Sequence, residues 1–326
     1  MDPTARDVGA PPDPEDADLP RPIDLSWVDV HQHTGSLTWN DREKFDLSGC
    51  EAAVMIAAGY YWTPYRPVEA DDVRFLWDDA LRRARAFDAR HFYDQRVAVG
   101  VHTWARVEGA DELLAVLPDY CDLDRVVAVG ETGVESTQHT SAWPLEDQRD
   151  VVREQFHVAR EAGLPVLVHT PGSSKGDLDP RHVHGYEEGN RNFTDPLFGE
   201  GEDEDAKAVA VEEDLALADE AGIPDEQVVI DHGNADVADR VLGDTNCWLS
   251  FTVSASWLRG VDARDVAETI DRHGADRVLI DSDLAGSMRN DPFVIPRTAM
   301  DLLRLGVDRA DVRKVVYENP RRVLGL

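Results

Sequence analysis

Short runs of aliphatic and β-branched residues recur along the chain, separated by stretches whose apolar positions fall three and four apart. The runs "WVDVHQH" (27–33), "AAVMIAAG" (52–59), "RVAVGVHTW" (96–104), "VVAVGETGVE" (126–135), "PVLVHTP" (165–171), "VVIDHGN" (228–234), "WLSFTVS" (248–254) and "VLIDSDL" (278–284) read as strands. Between them, "PLEDQRDVVREQFHVAREAG" opens on Pro144, stops at Gly163 and sets Leu145, Val152, Phe156 and Ala159 at helical spacing. Further helical patterns cover about 206–222, 235–242, 263–274 and 295–305. Eight strands in βα order predict an α/β fold, a (β/α)8 TIM barrel rather than an open sheet.

Two segments depart from this rhythm. Residues 1–25 are rich in Pro and Asp, with neither a basic start nor an apolar stretch, so no secretory signal is expected and a disordered tail is predicted ahead of one domain over 26–326. Residues 172–205 form a polar, Gly-rich insertion after the fifth strand, far longer than the usual ~4–6-residue connection. It leaves the barrel at the strand's C-terminal end, where active-site loops lie, so a lid or substrate loop is expected; the alternative is a tolerated solvated insertion.

Charge narrows the setting. The 326 residues carry 65 Asp+Glu against 33 Lys+Arg, a formal net charge of −32, and only Lys44, Lys175, Lys207 and Lys314 are lysines. This is not a basic nucleic-acid-binding profile. At molar salt the Debye length falls to about 3 Å, so self-repulsion is screened and a hydrated acidic surface stays soluble; the acidity is read as adaptation to a high-salt cytoplasm, against the alternative of an acidic mesophilic protein. Cys50, Cys121 and Cys247 stand apart without a CxxC and read as reduced core residues of a cytoplasmic protein. No run approaches the ~18 apolar residues of a membrane span, and no feature calls for an obligatory protein partner.

The chemistry gathers at strand ends. In an extended strand residues i and i+2 share a side, so His31 and His33 project together while Gln32 projects away. The third strand ends near His102, the fourth near Glu131, the fifth near His169, the sixth near His232, and the eighth near Asp281 and Asp283. Singly, each histidine is more often a hydrogen-bonded core residue than a ligand. Jointly they place imidazoles and carboxylates on one rim, and a buried cluster of this kind is costly without a cation. Imidazole with carboxylate suits zinc, and mixed N/O sites also accept manganese, nickel or iron. A second HxH, His182 and His184 in "RHVHG", lies inside the polar insertion, where no strand positions it. Trp39, Tyr60, Tyr61, Trp62, Trp104 and Trp143 stand near predicted strand ends as candidates for an aromatic pocket, with core cover as the alternative.

From about residue 27 to the C-terminus the sequence resembles the TatD-like metal-dependent hydrolases, a branch of the amidohydrolase superfamily. The pieces that carry the resemblance are "DVHQH", "VGVHTW", "VGETGVE", "LPVLVHT", the sixth-strand "DHG", "LIDSDL" and the closing "ENPRRVLGL", in the family's order. The resemblance implies that His31, His33 and Asp283 hold one divalent metal, that His169 and His232 hold a second, and that Glu131 bridges both. It makes His102 a substrate contact. Zinc is the first expectation for one or two ions, with manganese, magnesium, nickel or iron as alternatives. No lysine occurs in the fourth-strand region, so a carboxylated lysine is not the bridge. Asp283 is then the general base and proton donor for a metal-activated water, acting with Glu131.

The sequence also departs from the family pattern. "HTPGSSKG" puts Pro171 where members carry an arginine suited to phosphate, with Lys175 or Arg181 as possible substitutes; "DHGN" replaces His-Cys-Phe, and "AGS" follows "DSDL" without the family's proline. Three functions therefore stand: a phosphodiester hydrolase, including a deoxyribonuclease; a hydrolase of a small ester, lactone, amide or phosphoester; and a metal-binding barrel without turnover. The substrate is accordingly a nucleic acid or a small molecule.

Overall fold

The computed structural model describes residues 25–33, 37–57, 67–103, 106–136, 143–171, 205–253, 261–285 and 291–326. The expected tail, almost the whole 172–205 insertion and Tyr60, Tyr61, Trp62, Trp104, Lys175, Arg181, His182 and His184 lie outside them.

Parallel strands alternate with helices in chain order: β1 (Trp27–His33), α1 (Trp39–Ser48), β2 (Cys50–Ile56), α2 (Ala70–Phe87), β3 (Asp94–Val99), α3 (Ala110–Cys121), β4 (Val126–Thr132), α4 (Leu145–Ala162), β5 (Val166–Val168), α5 (Ala206–Ala221), β6 (Val228–Ile230), α6 (Ala235–Ala238), β7 (Trp248–Thr252), α7 (Ala263–His273), β8 (Val278–Asp281) and the two-residue β9 (Leu284–Ala285). Helices α8 (Val294–Arg304), α9 (Arg309–Arg313) and α10 (Asn319–Leu324) complete the described chain. Each strand from β1 to β8 pairs in parallel with the next, and β9 pairs with β1, so the sheet returns on itself as a (β/α)8 TIM barrel. Strands buried on both faces explain the near-continuous apolar runs. Among the described residues no helix is long and apolar enough to cross a membrane.

The eighth predicted strand, 278–284, is interrupted. It stops at Asp281 and resumes as β9, and the break turns Asp283 into a left-handed conformation with φ 40°. The seam is hydrogen-bonded: Asp283 N–H donates to the His31 carbonyl (3.0 Å), and Ser282 N–H donates to Asp29 Oδ1 (3.1 Å) while its hydroxyl donates to Asp29 Oδ2. Burial pushes the Asp29 carboxyl up to about 7, against these bonds.

Helix α4 starts after Pro144 and stops at Gly163, which takes the left-handed C-terminal position. All three cysteines are free and buried. Trp143 is buried in the core, and Trp39 packs its ring against His91 (5.0 Å) with the Arg90 guanidinium over it (5.1 Å), so Trp39 covers the α1–α2 region and does not line a pocket at the strand ends.

Gln32 projects away from the His31 side, as i+2 alternation requires, and is fully buried with neither amide atom hydrogen-bonded. An unsatisfied buried amide costs about 1–3 kcal/mol. Gln32→Leu is therefore expected to raise stability by about 1–2 kcal/mol, seen as a higher urea midpoint at unchanged slope. A lower midpoint would show that the amide has a partner in solution.

Candidate metal centre

The seven residues singled out from the sequence, His31, His33, His102, Glu131, His169, His232 and Asp283, come together at the C-terminal mouth of the barrel, all buried. Four of them lie just past their strands: His102 after β3, His169 after β5, His232 after β6 and Asp283 after β8. His232 and Asp283 are the non-glycine residues with positive φ among those described (55° and 40°). Such conformations are sparsely populated and concentrate at functional sites.

Two groups of donors share one carboxylate. In the first, His31 Nε2 and His33 Nε2 are 3.4 Å apart, Asp283 Oδ1 is 3.7 Å from the former and 3.2 Å from the latter, and Glu131 Oε2 is 3.6 Å from His31 Nε2. Bonds of about 2.0–2.1 Å to a tetrahedral ion put neighbouring donors roughly 3.3 Å apart, so these separations suit one divalent ion. In the second, Glu131 Oε1 lies 2.6 Å from His169 Nδ1, 3.1 Å from His232 Nε2 and 3.8 Å from His102 Nε2. Glu131 thus directs one oxygen to each group.

Burial and neighbouring charges oppose each other at these residues. Burial alone would lower the His31 pKa, but the charges of Glu131 and Asp231 raise it well above the ordinary imidazole value. Burial likewise opposes the His169 proton, yet Glu131 and Glu135 lift it to about 9. Burial would raise Glu131 itself, and the His31 and His169 rings hold it well below the carboxylate range. Asp283, also opposed by burial, is held low by the His33 hydrogen bond and by His31. A divalent ion at this centre would compete with protons for the imidazole nitrogens. His102 behaves differently: burial pushes it down to about 3, so it is a neutral ring.

A second layer fixes which nitrogen each imidazole offers, and sequence reading missed most of it. His31 Nδ1–H donates to Asp231 Oδ2, which leaves Nε2 for the first group. His232 Nδ1–H donates to Thr252 Oγ1 (2.6 Å), which leaves Nε2 facing Glu131. The Thr252 hydroxyl donates to Asp281 Oδ1 (2.9 Å) and that of Ser250 to Asp281 Oδ2 (2.6 Å). Burial and the neighbouring Asp231 charge push Asp281 well above the carboxylate range. Asp281 therefore faces inward, as the i+2 rule allows, but as support for the two histidines. Beside the second group, His169 Nε2 lies 3.6 Å from Glu135 Oε2. Gly133 (φ 146°) lets β4's exit pass close to β5, since a Cβ there would collide with the His169 carbonyl oxygen.

Removing the carboxylate behind His31 tests this layer. Asp231→Asn offers the ring an amide in place of an ionised acceptor and is expected to weaken ion binding about 10–100-fold with the fold kept. Wild-type metal affinity in that variant would remove Asp231 from the centre.

Fold and donor set together define a metal-dependent hydrolase of the barrel type. Within that class the chain belongs to the TatD family, since the TatD related DNase profile matches residues 28–325. An uncharacterized metal-dependent hydrolase of Methanocaldococcus jannaschii is 27% identical over 294 residues, 90% of this chain and 98% of that protein. Another from Bacillus subtilis is 24% identical over 234 residues, 69% of this chain and 76% of its own. The TatD-like protein of Archaeoglobus fulgidus is similar in structure with a TM-score of 0.61 at 22% identity, over 92% of this chain and 100% of that one. The phosphotriesterase homology protein of Escherichia coli, solved with phosphate in its active site, reaches 0.57 at 15% identity over 93% and 99%.

Proposed function

We propose that this protein is a two-metal hydrolase that cleaves phosphodiester bonds with a metal-activated water. The observation that carries this reading is Glu131, whose Oε2 faces the His31 group and whose Oε1 faces His169 and His232. His31, His33 and Asp283 would hold one ion, His169 and His232 the other, with Glu131 between them. Such ions lower the pKa of a bound water toward ~7 and polarise the oxygen of the bond under attack.

The side chains supply the rest. Asp283, kept ionised beside His33, takes the water's proton and returns it to the leaving oxygen. His102, a neutral ring 3.8 Å from Glu131 Oε1, donates or accepts a hydrogen bond at the substrate without bringing a charge. The Asp231 and Thr252 bonds hold the two imidazoles in the ligating tautomer through turnover.

Phosphate in the active site of the structurally similar Escherichia coli protein supports a phosphoryl substrate. The net charge of −32 favours a second reading, a small ester or lactone, because an acidic surface repels a polyanionic strand. Metal-loaded protein in molar KCl, with and without chelator, is assayed on single-stranded DNA, bis-p-nitrophenyl phosphate and a lactone panel. Chelator-sensitive cleavage of either phosphodiester is expected; turnover confined to lactones would replace the proposal with the second reading.

A further inference from the structure

Lys207 sits on the first turn of α5 and is buried, an uncommon place for one of only four lysines. We infer that Lys207 is a positioning residue of the metal centre: its ammonium holds the main chain of His232 so that Nε2 faces Glu131. The inference rests on the two-ion reading above and extends it to a residue on the outer helical layer.

The contacts are specific. Lys207 Nζ donates to the His232 carbonyl (2.6 Å) and to Thr170 Oγ1 (2.9 Å). The Thr170 hydroxyl in turn donates to the Asp231 carbonyl (2.6 Å). One ammonium is thereby tied to the residue after His169, to His232 itself and, through Thr170, to the residue that accepts from His31.

His232 needs such a tie. Its φ of 55° is in the left-handed region, which a non-glycine residue leaves readily unless its peptide groups are held. On one side, its N–H donates to Asp231 Oδ1 (2.8 Å); on the other, its carbonyl is the acceptor of Lys207. Its ring is held through Nδ1 by Thr252 and faces Glu131 Oε1 through Nε2 (3.1 Å). The peptide of that carbonyl is anchored on its other side by the Gly233 N–H bond to the Ser250 carbonyl (2.8 Å), so loss of the Lys207 bond removes one of its two anchors and is expected to shift the ring relative to Glu131.

Helix α5 itself does not require the ammonium. Asp205 already caps it, accepting from Lys207 N–H (3.0 Å) and Ala208 N–H (3.3 Å), and the Ala206 carbonyl accepts from Ser136 Oγ (2.5 Å). A methionine would fill the space of the lysine stem without the cost of burying a charge. Among the described residues, its ammonium meets acceptors at the strand ends.

The test is a cobalt(II) titration of metal-free protein, followed by visible absorption, with stoichiometry from equilibrium dialysis. Lys207→Met is expected to bind the weakest ion of the wild type about 10–100-fold less tightly, with an altered d–d spectrum and unchanged near-ultraviolet circular dichroism. Wild-type affinities and spectrum in Lys207→Met overturn the inference. Should that variant fail to fold, Lys207→Gln, which keeps a stem and a neutral donor, is read the same way, and wild-type affinity there equally shows the ammonium to be dispensable. A wild type that takes up a single ion tells against the two-ion reading alone; the effect of the substitution on that ion still decides the role of Lys207.

Discussion

Glu131→Gln is expected to lower turnover by more than about a hundredfold, the upper end of what loss of an outer-layer partner costs a metal site, and to lose at least one ion per chain. The carboxylate offers one oxygen to His31's group and the other to His169 and His232. A glutamine keeps the shape but presents one oxygen and one NH2, and the NH2 has no lone pair for a cation. Either orientation of the amide therefore serves one group and blocks the other. The loss of charge adds to the effect, because Glu131 is the buried anion that offsets both groups. Metal content per chain, kcat on bis-p-nitrophenyl phosphate and near-ultraviolet circular dichroism together read the outcome. Two retained ions with full turnover would sink the bridging role.

Asp283→Asn separates catalysis from binding. An asparagine keeps an oxygen for the first group and tolerates φ 40°, whereas alanine would add backbone strain of its own. What it lacks is a site for the water's proton, and loss of a general base costs about 10²–10⁴-fold in rate. We expect kcat to fall by that factor while the ions are weakened less than in Glu131→Gln, and the acidic limb of the kcat profile that reports the base to vanish. Full turnover in Asp283→Asn would transfer the base to another group.

What the sequence disclosed follows from which interactions are local. The bounds of β1, Trp27–His33, were legible because an apolar run ends on two histidines at strand spacing, and i+2 alternation alone puts both imidazoles on one side. Helix α4 was legible from Pro144 and Gly163 at its ends. Helix α1 left no such trace, since "WNDREKFDLS" carries few apolar positions around Phe45. The family resemblance supplied the donor residues, but not Asp231, Thr252 and Ser250, whose partners lie on neighbouring strands and depend on register. Ser250 and Thr252 sit at i, i+2 on β7, with Thr252 opposite Asp281 on β8 and Ser250 opposite Leu279, a pattern that becomes visible once the strands are aligned. Lys207 is further still, 37 residues from Thr170 and 25 from His232 along the chain. Trp39 shows the converse: it is close to a strand end along the chain, yet its ring packs onto His91 and Arg90.

The two-ion centre is tested most directly by anomalous diffraction from crystals of the metal-loaded protein, with data collected on both sides of the metal's absorption edge. Two peaks about 3.5–4 Å apart are expected, one among His31, His33 and Asp283 and the other between His169 and His232, with Glu131 reaching both. A single peak, or density away from these residues, would contradict it.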